Sequence, residues 1–243
     1  MGNKALYQKR HSRDKWLQEE VATLPPRYDV EIFVELLLDW YAHNGRKYLW
    51  REKSSTLFQK VIAEILLQRT RADTVASYLP DFLRQFPSWN ELSAKNEEEL
   101  HRALYPLGLW RQKAIVLRGL ADKIMTRRGE FPKDYNEIRD LPGVGQYLAN
   151  AIAMFSIGEP RPLLDVNMVR VLGRYFGPRK LVDFRDDPYV QTLAYSIVLA
   201  TVDYVDINFA ILDLAALICM KKPLCSECPI NKGCKFWVSH GNL

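Results

Sequence analysis

The chain has 243 residues, 48% hydrophobic and 26% charged, and its 34 Lys and Arg against 29 Asp and Glu leave a formal net charge of +5. That much apolar material, interrupted by only 12 Gly and 13 Pro, excludes a disordered or fibrous chain, and the length fits one domain or two modest ones. No run approaches the roughly 18–20 continuous apolar residues of a membrane span, and the N-terminal MGNKALYQKRHSRDKW lacks an apolar segment before a small-residue cleavage site, so a soluble, cytoplasmic protein is expected.

Taken in chain order, residues 1–28 read as a polar extension whose basic run Lys9, Arg10, Arg13 and Lys15 reads more readily as a solvated arm than as a targeting signal. Phe33, Leu36, Leu37, Trp40 and Tyr41 then repeat at helical spacing, as do Phe58, Val61, Ile62 and Ile65 after the polar stretch 51–55. Further helical patterns cover 72–85, 97–105, 111–127, 135–141, 146–157, 166–176, 188–202 and 207–218, with Pro or Gly at most joins. Two-residue alternation is scarce, so an all-α protein with short connections is expected. The positive excess is local: residues 101–130 hold seven Lys and Arg against two acids and residues 151–180 five against two, while the remainder is net negative. Solvated helix faces and a nucleic-acid surface both account for such a distribution.

Between the patterns 135–141 and 146–157 stands Leu141-Pro142-Gly143-Val144-Gly145. Without Cβ atoms, Gly143 and Gly145 can take positive φ and turn their amides outward, and the next helix adds the unpaired N–H groups of its first turn. Such a concavity suits a phosphate oxygen, although a plain helix–turn–helix corner has the same sequence. Asp165 follows Gly145 by 20 residues and opens the 166–176 helix, as a cap, as a functional carboxylate, or as both. Glu64 falls beside Val61 at the edge of an apolar stripe, where partial burial would raise its pKa toward that of a general acid; a salt-bridged structural Glu fits equally.

All four cysteines, Cys219, Cys225, Cys228 and Cys234, are spaced C-x5-C-x2-C-x5-C near the end of the chain. Two disulfides in so short a loop would staple almost nothing. Structural zinc usually joins two knuckles across a longer loop, whereas four thiolates from one compact loop can each take one iron of a [4Fe–4S] cluster. Iron–sulfur is the first reading and zinc the second.

These residues resemble the helix-hairpin-helix DNA glycosylases of the endonuclease III and MutY superfamily from about Asp29 to Trp237. The resemblance rests on Glu64-Ile65-Leu66-Leu67-Gln68-Arg69-Thr70, the LPGVG hairpin at 141–145, Asp165 at the family's distance from it, and the cysteine loop, one residue shorter in its first gap than is usual. It implies an all-α fold of two helical domains flanking a DNA-binding cleft. One is a six-helix barrel with the hairpin (50–158). The other is built from 29–49 plus 159–243 and carries one [4Fe–4S] cluster on Cys219, Cys225, Cys228 and Cys234.

By the same resemblance Asp165, Glu64 and Tyr147 are the catalytic set. Tyr147 stands where bifunctional members carry the Lys that forms a Schiff base, and a phenol cannot form that imine. Gly143, Val144 and Gly145 would grip the DNA backbone, with Gln68, Arg69, Leu109, Trp110, Arg111 and Lys113 as further DNA contacts, Leu109 or Trp110 acting as the wedge. Gln68-Arg69-Thr70, Gly108-Leu109-Trp110 and the run Asp165 to Val171 are most similar to the thymine-DNA mismatch glycosylases. A monofunctional base-excision-repair glycosylase is therefore expected, removing thymine or uracil opposite guanine from double-stranded DNA. It would act as a nucleoid-associated monomer, without membrane partners or the extra C-terminal domain that MutY enzymes usually carry. The alternatives are a MutY-like adenine glycosylase with Glu64 as the acid, and a DNA-binding protein without catalysis.

Overall fold

Six helices among the described residues begin where a short polar side chain accepts the N–H bonds that a first turn leaves over. In the structure, a computed structural model that describes residues 24–178 and 183–240, every regular element among those residues is helical. Positions 1–23 of the expected polar extension lie outside the described residues. In chain order the α-helices are α1 (Arg27–Asn44), α2 (Leu57–Leu66), α3 (Ala72–Gln85), α4 (Trp89–Ala94), α5 (Glu97–Leu104) and α6 (Trp110–Thr126). They continue with α7 (Tyr135–Arg139), α8 (Gln146–Ser156), α9 (Val166–Phe176), α10 (Pro188–Leu199), α11 (Tyr204–Leu217) and α12 (Lys235–His240).

Thr56 opens α2 in a capping box with Gln59, and Asn96 opens α5 in one with Glu99. Ser88, Asp134, Asp165 and Asp187 cap α4, α7, α9 and α10. Each cap contributes about 1 kcal/mol, enough to set a boundary locally, which is why the starts of α2, α5, α7, α9 and α10 follow the periodicity closely. The short α4 and α12 were not expected, because six residues span fewer than two turns and show no period.

The chain divides into two compact units, Met1–Arg46 with Pro160–Leu243, and Lys47–Glu159. In the second, Trp50, Ile62, Ile65, Leu79, Phe82, Leu117, Ile124 and Ile152 belong to one buried core. There α6 packs on α2, α4 and α5, and α8 packs on α2 and α7. The Arg118 guanidinium, carried by α6, donates to the carbonyls of Leu92, Ser93 and Lys95 and so closes the C-terminal end of α4.

In the other unit Phe33, Leu37, Met168, Leu172, Leu193, Ile197, Ile211 and Leu214 form the core, and α11 packs on α1, α9 and α10. Two polar side chains of the largely apolar α11, Asn208 and Asp213, are wholly buried. Asp213 accepts from the backbone N–H and the guanidinium of Arg46, each at 2.7 Å. Asn208 uses its whole amide: Nδ2 donates to the carbonyls of Arg161 and Tyr204 at 3.0 and 2.8 Å, and Oδ1 accepts from Leu163 N–H at 2.6 Å. The amide thereby clamps residues 161–163, the stretch that leads into Asp165. Among the described residues no helix is long and apolar enough to cross a membrane.

Candidate functional site

Asp165 has extended backbone and is the N-cap of α9. Its Oδ1 accepts from the N–H groups of Asn167 and Met168 at 2.9 and 2.8 Å, and its Oδ2 accepts from Asn167 Nδ2 at 2.7 Å. The side chain is a cap, as its position suggested, and it stays half-buried rather than enclosed. Asn167 Oδ1 in turn accepts from Arg170 at 3.0 Å, and the same guanidinium donates to the carbonyls of Cys219 and Ala215. Arg174 donates to the carbonyls of Cys219 and Met220 and comes 3.2 Å from Cys219 Sγ. A continuous hydrogen-bonded path therefore runs from the Asp165 carboxylate to the cysteine loop. Asn167, Arg170 and Asn208 were assigned no role of their own from the sequence, although a polar residue inside the apolar pattern of α11 signals an internal partner.

Glu64 lies in the unit Lys47–Glu159, in the last turn of α2. It is only 3% exposed, because Val61, Ile62, Ala63, Ile65 and Leu66 around it are all buried; the partial burial expected at a stripe edge understates this. Tyr147 is half-buried in the first turn of α8.

The loop after α2 exposes Gln68 and Arg69, the latter with a left-handed φ of 52°. The turn before α6 exposes Leu109, whose φ is 59°. Trp110 is half-buried, with the Arg111 guanidinium 4.2 Å from its ring centroid and the rings of His101 and Tyr105 at 4.9 and 5.9 Å. Of the two residues expected to act as a wedge, Leu109 is the more exposed.

Lys113 departs from its expected place at the DNA. It is 0% exposed, and its ammonium donates to Thr70 Oγ1 at 2.6 Å and to the Gly108 carbonyl at 2.7 Å. Burial pushes its pKa down to about 8. The charge count along the chain misleads more generally. Arg118, Arg170 and Arg174 are committed to backbone carbonyls, Arg161 donates to the Tyr195 hydroxyl, and Arg179 and Lys180 lie outside the described residues. Part of the local excess is spent inside the protein, while Arg102, Arg111, Lys123, Arg127 and Arg128 stay exposed.

The hairpin is a tight corner between α7 and α8, closed by Val144 N–H donating to the Leu141 carbonyl. Only one of its glycines uses positive φ. Gly143 has φ 71°, and a Cβ there would meet Val116 Cγ2 of α6 at 2.5 Å. Gly145 has φ −81°, caps α8, and would meet nothing within 4 Å. It leaves open space at a helix N-terminus whose cap has no side chain, a geometry that accepts an anion.

The four cysteines line one largely apolar cavity together with Arg174, Tyr175 and Leu214. Burial pushes the Cys228 thiol up to about 12, with the neighbouring cysteines adding to the rise and the Ile230 N–H opposing it. Burial raises Cys225 and Cys234 as well; the N–H groups of Trp237 and Phe236 favour the Cys234 thiolate. As they stand, no three His, Cys, Asp or Glu side chains among the described residues are arranged to hold a metal ion. The donor set is nonetheless coherent: four sulfurs on one cavity, with N–H groups and a guanidinium directed at them. Such a set needs a positive centre to hold its sulfurs as thiolates.

A model of the HhH-GPD superfamily base excision DNA repair protein matches residues 62–183. A thymine-DNA glycosylase of Aeropyrum pernix is 35% identical over 86% of this chain and 95% of its own length. A thymine/uracil-DNA glycosylase of Pyrobaculum aerophilum is 33% identical over 88% and 95%. The solved structure of a thermostable thymine-DNA glycosylase superposes with a TM-score of 0.80 at 28% identity, covering 87% of this chain and 98% of that one.

The two glycines of the hairpin separate in a stability measurement. Gly143→Ala forces a left-handed alanine against Val116 and is expected to cost about 2–4 kcal/mol in urea unfolding, whereas Gly145→Ala stays within about 1 kcal/mol of wild type. Equal losses at both positions would contradict the turn described.

Proposed function

Because the chain belongs to the HhH-GPD superfamily of base excision DNA repair proteins, we propose that it is a monofunctional DNA glycosylase that releases thymine or uracil opposite guanine and leaves an abasic site. The observation that carries this reading is the Asp165 carboxylate, held by three hydrogen bonds yet still half-buried at the head of α9. The relatives named as thymine and thymine/uracil glycosylases, similar over most of the chain, support the choice of base and of DNA as partner.

In the proposed reaction the duplex backbone rests on the hairpin at Gly143–Gly145, Leu109 fills the stack, and the target nucleotide is flipped out. The bond between C1′ of the sugar and the base nitrogen breaks with its electron pair leaving on the base, and positive charge develops on the sugar. A carboxylate that cannot reorient lowers the cost of that charge without reorganisation at the moment of reaction. Water then supplies oxygen to C1′, and its proton ends on the released base nitrogen. Tyr147, a phenol where an amine would be needed, offers no route to an imine with the abasic sugar, so the strand stays intact.

As part of the same reading, Cys219, Cys225, Cys228 and Cys234 would hold one [4Fe–4S] cluster, whose iron charge stabilises the four thiolates and closes the loop beside α9. The six-helix barrel within 50–158 and the assignment of 29–49 plus 159–243 to a cluster domain belong to this reading too.

Asp165→Asn tests the carboxylate directly. Asn is as good a cap as Asp, so stability and affinity for mismatched DNA are expected to hold while base release falls by about two orders of magnitude or more. Undiminished release in a single-turnover assay would rule Asp165 out. For the cluster, protein purified without oxygen is expected to carry about four irons per chain, with visible absorbance that bleaches on reduction or chelation; stoichiometric zinc with no iron would end that assignment.

A further inference from the structure

Lys113 has no part in the reaction proposed above, yet it is the only lysine among the described residues that is wholly buried. Burying an ammonium is costly unless its donors are matched. Here the match is made to two separate loops: Thr70 Oγ1 at 2.6 Å in the loop after α2, and the Gly108 carbonyl at 2.7 Å in the turn before α6. Each acceptor stands next to a non-glycine residue in the left-handed region, Arg69 beside Thr70 and Leu109 beside Gly108. Backbone of that kind persists only where its surroundings hold it. The loops also touch, since a Cβ on Gly108 would lie 3.8 Å from the Arg69 carbonyl oxygen. The side chains displayed by the two left-handed residues and their neighbour, Gln68, Arg69 and Leu109, are exposed.

We propose that Lys113 is a positioning residue whose ammonium fastens the Gln68–Thr70 loop to the Gly108–Leu109 turn, so that Gln68, Arg69 and Leu109 enter the DNA in one fixed register. The proposal rests on the glycosylase reading for its consequence, though not for the fastening itself. A lysine suits the place because its thin stem carries three rotatable donors on a compact head, and an arginine, which keeps the charge and several donors, can meet the same two acceptors. Contacts to the DNA backbone made by the hairpin do not pass through this fastening. Loss of Lys113 therefore acts on the flipped, reactive geometry more than on affinity.

The test compares the full chain as wild type, Lys113→Met, Lys113→Arg and Thr70→Val. Hydrogen exchange reads the amides of 67–71 and 107–110. Single-turnover release from a T:G duplex and Kd for the same duplex carrying an abasic analogue are measured alongside. In Lys113→Met, protection is expected to fall in both loops together while α8 keeps its own. Release is expected to slow by about tenfold or more, with Kd changing less than about threefold. Lys113→Arg is expected to recover most of the joint protection and rate, and Thr70→Val to move both readouts the same way by less. Unchanged protection, loss in one loop alone, or a slower release that Lys113→Arg does not recover would overturn the proposal. Should Lys113→Met fail to fold, Thr70→Val, which keeps the lysine and removes one acceptor, carries the comparison. A wild-type protein that releases no base from any duplex would refute the glycosylase reading instead, and the exchange data would still decide the fastening.

Discussion

One carboxylate is asked to cap a helix and, in the proposed reaction, to face a developing positive charge. The two demands agree because a cap immobilises. Two N–H groups of the first turn of α9 and the Asn167 amide hold Asp165, and Asn208 clamps the chain just before it. The clamp and the cap are built from different elements, α11 and α9, so the carboxylate is fixed from both directions. Beyond Asn167 the bonds continue through Arg170 to the Cys219 carbonyl. A disturbance of the cysteine loop thus has a physical route to the carboxylate within one compact unit.

In the unit Lys47–Glu159 a comparable job falls to α6. Its N-terminus follows the Leu109 turn, Lys113 in its first turn reaches the Gln68–Thr70 loop, and Val116 sits against Gly143 of the hairpin. Gly119 of the same helix lies where a Cβ would come 2.9 Å from Pro142. Three segments proposed to meet DNA are therefore seated on one rigid rod, and their spacing follows from helical rise rather than from the loops themselves.

Helix positions and the hairpin were legible in the sequence because they depend on local rules: a 3.6-residue period, a cap, a Pro-Gly corner. Asp165 was legible as a cap for the same reason. What was not legible was where long side chains end. Lys113 and Arg118 looked like part of a basic face, yet their head groups turn inward, Lys113 to the Thr70 hydroxyl and the Gly108 carbonyl and Arg118 to carbonyls at the end of α4, and no count along the chain can see a head group several bonds from its backbone. Gly143 and Gly145 looked equivalent for a related reason. Their difference comes from Val116, a tertiary neighbour, and from the start of α8. The polar residues of α11 were the clearest missed signal, since Asn208 and Asp213 interrupt a run that is otherwise core.

The central claim, hydrolysis of a flipped pyrimidine without strand cleavage, is tested most directly by incubating the wild-type chain with duplexes carrying T:G, U:G, A:G, A:8-oxoguanine and thymine glycol, with and without alkali. The proposed function predicts base release from T:G and U:G, with strand breaks only after alkali. Breaks without alkali, or release confined to adenine, would contradict it.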